Sequence, residues 1–195
     1  MNQNFVERAK EIYDRRMTSE QISFTQDWWK KLVRDETKLI AWLCKLYGSE
    51  IHGVHEYLGF MRFKPDHAVC TQLRSLANDE MNHATMIDQW MAQYDLPQPS
   101  VIHSSKYWNE MQRHVKDFSS ACAIKFYGET LASERFEILR DHPDTPDDLF
   151  HLFRRIGLDE QRHSQVMYLL SGPEAIVKME RHHIAALQNL INKAS

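Results

Sequence analysis

Asp79-Glu80-Met81-Asn82-His83 returns as Asp159-Glu160-Gln161-Arg162-His163, and this repeated Asp-Glu-x-x-His stretch, 80 residues apart, decides how the chain is read. A glutamate and a histidine three residues apart share one face of a helix, so both can reach one metal ion. One such stretch says little. Two of them, each preceded by another glutamate at nearly the same distance, describe a helical site for two metals.

Geometry selects the partner glutamates. Two carboxylates on consecutive antiparallel helices stand at the same height only if the turn lies midway between them, because both helices rise equally per residue. Glu50 and Glu80 have their midpoint at Pro65, inside Phe63-Lys64-Pro65-Asp66, which reads as a chain reversal. Glu129 and Glu160 have theirs inside Pro143-Asp144-Thr145-Pro146. Glu56 in place of Glu50, or Glu134 in place of Glu129, would stand roughly 9 or 7 Å off level at about 1.5 Å per residue. The candidate ligands are therefore Glu50, Glu80, His83, Glu129, Glu160 and His163. His55 remains an alternative or addition to Glu50, and Glu134 to Glu129. Each lies five residues beyond its glutamate, within reach if the helix carries a local π-bulge.

The remaining sequence reads as one helical domain over residues 1–195, its metal-binding core at about 37–170. At 195 residues and 43% hydrophobic content the chain can bury a bundle interior. The formal charge of -3, without a lysine or arginine run, argues against broad nucleic-acid binding. The start, Met1 to Arg8, lacks the apolar core of a signal peptide, and no apolar run approaches membrane-spanning length, so a cytoplasmic protein away from membranes is expected. Cys44, Cys70 and Cys122 form no CxxC pair, which removes disulfide frameworks and thiolate metal knuckles.

Six glycines and six prolines cluster between long amphipathic runs, the pattern of an all-α fold. Helices are predicted at about 4–17, 25–34, 37–61, 66–94, 104–117, 118–141, 146–170 and 173–193. Asp95 to Ser100 separates two halves, each with one glutamate helix and one Glu-x-x-His helix. At an offset of 80, Trp28 meets Trp108, Lys45 meets Lys125, and Tyr47-Gly48 meets Tyr127-Gly128. The paired glycines suggest close helix approach or room for a substrate, since glycine inside a helix costs about 1 kcal/mol against alanine.

Four buried carboxylates would repel one another, and two divalent cations would neutralise them. The mixed oxygen and nitrogen donors suit iron or manganese. Asp79 and Asp159 are expected to accept hydrogen bonds from the ligand histidines and fix their tautomers. Lys45 and Lys125 stand one turn from a ligand glutamate and are expected to extend outward along their apolar stems. Tyr47, Tyr127, Trp90 and Tyr168 are expected to pack in the core. Glu180-Arg181-His182-His183 also contains Glu-x-x-His, but no glutamate helix follows it, and it reads as a solvated face. His52 and His114 read as surface or satisfied histidines.

The six-residue set resembles the ferritin-like di-iron carboxylate superfamily, in which two helices each give a glutamate and two others each give Glu-x-x-His. Asp159-Glu160-Gln161-Arg162-His163 also has the Asp-Glu-x-Arg-His form of bacterial di-iron monooxygenases; Asp79-Glu80-Met81-Asn82-His83 lacks the arginine. The resemblance implies a four-helix bundle core with additional N-terminal, mid-chain and C-terminal helices. It implies two iron ions, with Mn/Fe or Mn2 as alternatives, Glu80 and Glu160 bridging them where O2 reacts, and Glu50 and Glu129 as terminal ligands. The function expected is an O2-activating oxidase or oxygenase, monomeric or homodimeric, that acts on a small organic substrate with an external electron donor such as a ferredoxin or reductase. Ferroxidase or iron storage, manganese redox chemistry and a non-catalytic metal-binding bundle are the alternatives.

Overall fold

The structure, a computed structural model, describes residues 3–97, 99 and 106–191. The fold is all-α, and no strand occurs among the described residues. The helices are α1 (Gln3–Asp14), α2 (Ser19–Val33), α3 (Glu36–Gly59), α4 (His67–Gln93), α5 (Lys106–Gln112), α6 (Phe118–Asp141), α7 (Asp147–Ser171) and α8 (Pro173–Ile191), with a short 3-10 turn at Phe60–Phe63. None of them is long and apolar enough to cross a membrane. The segments expected at 104–105 and 192–193 lie outside the described residues, as do Met1, Asn2, Gln98 and Ser100.

Side-chain caps explain where the helices begin. Asp35 accepts from Lys38 N to open α3, and Asp66 accepts from Val69 N to open α4. Between them Lys64 takes a left-handed conformation (φ 54°) and Pro65 blocks continuation of the helix, so α3 and α4 form a hairpin about the expected turn. α2 begins six residues earlier than predicted, because Thr18 and Gln21 form a reciprocal capping box. α5 is shorter than predicted. The chain turns after Gln112, and Asp117 accepts from Ser120 N while Ser120 Oγ accepts from Lys116 N and Asp117 N at the start of α6.

Contacts gather the chain into two compact units, one of residues 17–103 and 133–159, the other of 1–16, 104–132 and 160–195. The division falls within the continuous helices α6 and α7. In the first unit Trp29, Trp42 and Phe153 meet edge to face at centroid distances of 5.4–5.9 Å, with Trp29 and Phe153 fully buried. Trp29 Nε1 donates to Thr145 Oγ1 (2.7 Å), so this core holds the α6–α7 turn. In the second unit α8 packs on α1 and α5, and Tyr13, Phe126 and Tyr168 form an aromatic cluster.

Candidate metal centre

The α3–α4 hairpin places Glu50, Glu80 and His83 in the interior, each 5% exposed or less. His83 Nδ1 lies 3.1 Å from Glu50 Oε2, and His83 Nε2 lies 3.3 Å from Asp159 Oδ2. A neutral imidazole carries one N–H. If Nε2–H is donated to Asp159, the Nδ1 lone pair faces a carboxylate oxygen, and two such donors need a cation between them, either a proton or a metal ion. Donors each about 2.1 Å from one octahedral ion stand about 3.0 Å apart, so the Glu50 to His83 spacing suits a shared ion.

Gly53 makes the room. A Cβ built there would come within 2.7 Å of the Glu80 carboxylate, so only the bare backbone one turn after Glu50 admits that side chain. Asp159 is held in turn by Arg155 Nε at 3.0 Å.

On the second glutamate and Glu-x-x-His pair, Glu129, Glu160 and His163 are likewise buried, and His163 Nδ1 lies 3.1 Å from Glu160 Oε2. Burial alone would raise the Glu129 pKa. Lys125, His163 and a hydrogen bond with Glu160 outweigh it and hold the carboxyl well below the usual range, so Glu129 is an anion.

Ligand-capable atoms of Glu50, Glu80, His83 and Glu160 all lie within 4.8 Å of one another, and so do those of Glu80, Glu129, Glu160 and His163. All six expected residues fall in these two groups, and Glu80 and Glu160 belong to both. Buried carboxylates with imidazoles and no thiolate are a donor set that can hold a divalent ion such as iron or manganese. The helical structure with this cluster is compatible with a di-metal helical bundle.

Other expectations fare differently. His55 is exposed, Glu56 pairs with His52 at 3.4 Å, and Glu134 Oε2 accepts from Met17 N at 2.9 Å; none of them belongs to either group. Asp79 is half-buried. Lys45 is exposed, as expected, but Lys125 turns inward: it is 3% exposed, pairs with Glu129, and its Nζ lies 5.2 Å from the Trp108 ring centroid. An outward path would have to leave α6 at a stretch, 121–129, that is buried throughout.

The third Glu-x-x-His is a packing and pairing element instead of a solvated face. Glu180 pairs with Arg8 and Arg15, while His183 stacks on Tyr127 and hydrogen-bonds to Tyr107. Tyr127 donates to Ile176 O, and Trp90 donates to Asp148, which assigns these aromatic groups to packing. His114 stacks on His182 at 3.6 Å.

Gly53 and Lys125 are the functional neighbours that sequence reasoning missed or misplaced. A weak signal existed for Gly53, since it stands three residues after Glu50 and so on the same helix face. Comparison with protein-family models, curated proteins and solved structures gives no match.

Proposed function

We propose that the chain is a ferritin-like, non-haem di-metal oxidase or oxygenase that uses O2 on a small organic substrate. The observation that carries this reading is the sharing of Glu80 and Glu160 by two buried four-residue groups, each with its own histidine. A single-ion site needs no second histidine and no shared carboxylates.

In this reading Glu50 and His83 would hold one ion and Glu129 and His163 the other, with Glu80 and Glu160 available to both. Asp159 accepts a hydrogen bond from His83 Nε2–H, which leaves Nδ1 for the metal. Gly53 keeps the bridging carboxylate of Glu80 in place, and burial excludes water from the charged cluster. Iron bound there would supply the redox chemistry that O2 reduction requires. As an oxygenase the chain would place one oxygen atom of O2 in the substrate and release the other as water. The two electrons come from an external donor such as a ferredoxin or reductase, and the two protons come from solvent. A cytoplasmic monomer or homodimer completes the proposal.

The test is an anaerobic Fe(II) titration of the metal-free protein followed by O2, counting iron bound and oxidised per chain. Saturation near two irons, with oxidation stopping there, supports the reading and calls for a substrate screen. Oxidation continuing to tens of irons per chain would replace it with iron storage. Uptake of Mn(II) but not Fe(II) would assign the centre to manganese.

A further inference from the structure

Lys125 is out of place beside a metal ligand. It stands one turn before Glu129 on α6, is buried, and pairs with the Glu129 carboxylate. Its ammonium also lies over the Trp108 ring, a cation–π contact. Trp108 can approach because position 128 is glycine: a Cβ there would meet the ring at 2.5 Å. Gly128, Trp108, Lys125 and Glu129 therefore form a fitted set that fixes one positive charge at the Glu129 carboxylate. The equivalent residue of the other half, Lys45, is exposed and brings no such charge to Glu50.

We infer that Lys125 makes the two metal positions unequal, so that the ion held by Glu50 and His83 binds first and the ion held by Glu129 and His163 binds second and more weakly. The inference rests on the two-metal reading of the proposed function. Each four-residue group offers three carboxylates and one histidine. One of them already has a monovalent cation at its terminal glutamate. A divalent ion arriving there meets a carboxylate whose charge is partly neutralised and a fixed ammonium that repels it. Burial keeps water from screening that repulsion. Lys125 is thus a positioning residue that sets the order and strength of loading.

Titration of the metal-free 195-residue chain with Mn(II), followed by calorimetry, tests this. The wild type should give two steps whose Kd values differ by about tenfold or more. Lys125→Met should reduce the separation by about tenfold, whereas Lys125→Arg and Lys45→Met should preserve it. His163→Ala should retain the tight step and His83→Ala should lose it, an outcome that does not depend on how well Lys125→Met folds. Two equal steps in the wild type, an unchanged separation in a folded Lys125→Met, or loss of the tight step in His163→Ala would overturn the inference while leaving the two-metal reading standing. No Mn(II) or Fe(II) bound at all would remove both.

Discussion

At the scale of single residues, Gly53 separates the needs of the fold from those of the site. Alanine is the better helix former by roughly 0.5–1 kcal/mol, and the atoms its Cβ would meet belong to the movable end of Glu80. Gly53→Ala should therefore leave the thermal midpoint of the metal-free protein unchanged or raised, yet weaken metal binding about tenfold or more as Glu80 is pushed aside. Thermal melts and metal titration of the same preparation check both halves; a variant that binds metal normally would mean Glu80 is not a ligand. Gly128→Ala should behave oppositely. Its Cβ would strike the Trp108 ring, and overpacking of this kind costs about 1–3 kcal/mol, to be read as a lowered denaturation midpoint.

His183 gives a pH dependence whose sign follows from its surroundings. Burial, reinforced by Arg15 and opposed by Glu180, lowers its pKa from 6.5 to about 4. The folded chain holds this ring neutral where the unfolded chain would protonate it. Its contribution to stability is therefore complete above about pH 6.5 and is lost as pH falls toward 4. About 3 kcal/mol should disappear across that window. Urea midpoints of the metal-free protein at intervals of pH should fall accordingly, and His183→Gln should flatten the slope.

At the scale of elements, Asp66 opens the helix that carries Glu80 and His83, well away from both in sequence. Asp66→Ala should cost about 1 kcal/mol of stability through loss of the cap to Val69 N and leave the number of ions bound unchanged. A change in stoichiometry would instead tie metal binding to the end of α4. The element scale is also where the sequence was most legible. Periodicity and punctuation placed eight helices, because proline, glycine and the capping residues act locally. The start of α2 was missed because Thr18 and Gln21 make a capping box ahead of the stretch that reads as amphipathic. Helix rotation was harder to read, since it depends on neighbours distant in sequence. Lys45 and Lys125 occupy the same position in the two halves, and a long apolar stem can carry an ammonium either way. The burial of 121–129 and the packing of Trp108 against Gly128 turn Lys125 inward.

At the scale of the whole molecule, three Glu-x-x-His stretches occur and only two belong to buried carboxylate and histidine groups. The sequence sets the third apart because no glutamate helix follows it. The third instead joins α8, through Glu180, to Arg8 of α1 and to Arg15 just beyond its end. Glu180→Ala should loosen this pairing by about 1 kcal/mol and leave metal binding intact, as measured by melts and metal analysis.

The central claim is that Glu80 and Glu160 serve two ions while each remaining glutamate serves one. Metal content per chain after anaerobic equilibration with Fe(II), compared between the wild type, Glu50→Ala and Glu80→Ala, tests it most directly. The account predicts about two irons in the wild type, at most one in Glu50→Ala, and loss of both in Glu80→Ala, each variant keeping its helical circular dichroism. Full occupancy in a folded Glu80→Ala chain would contradict it.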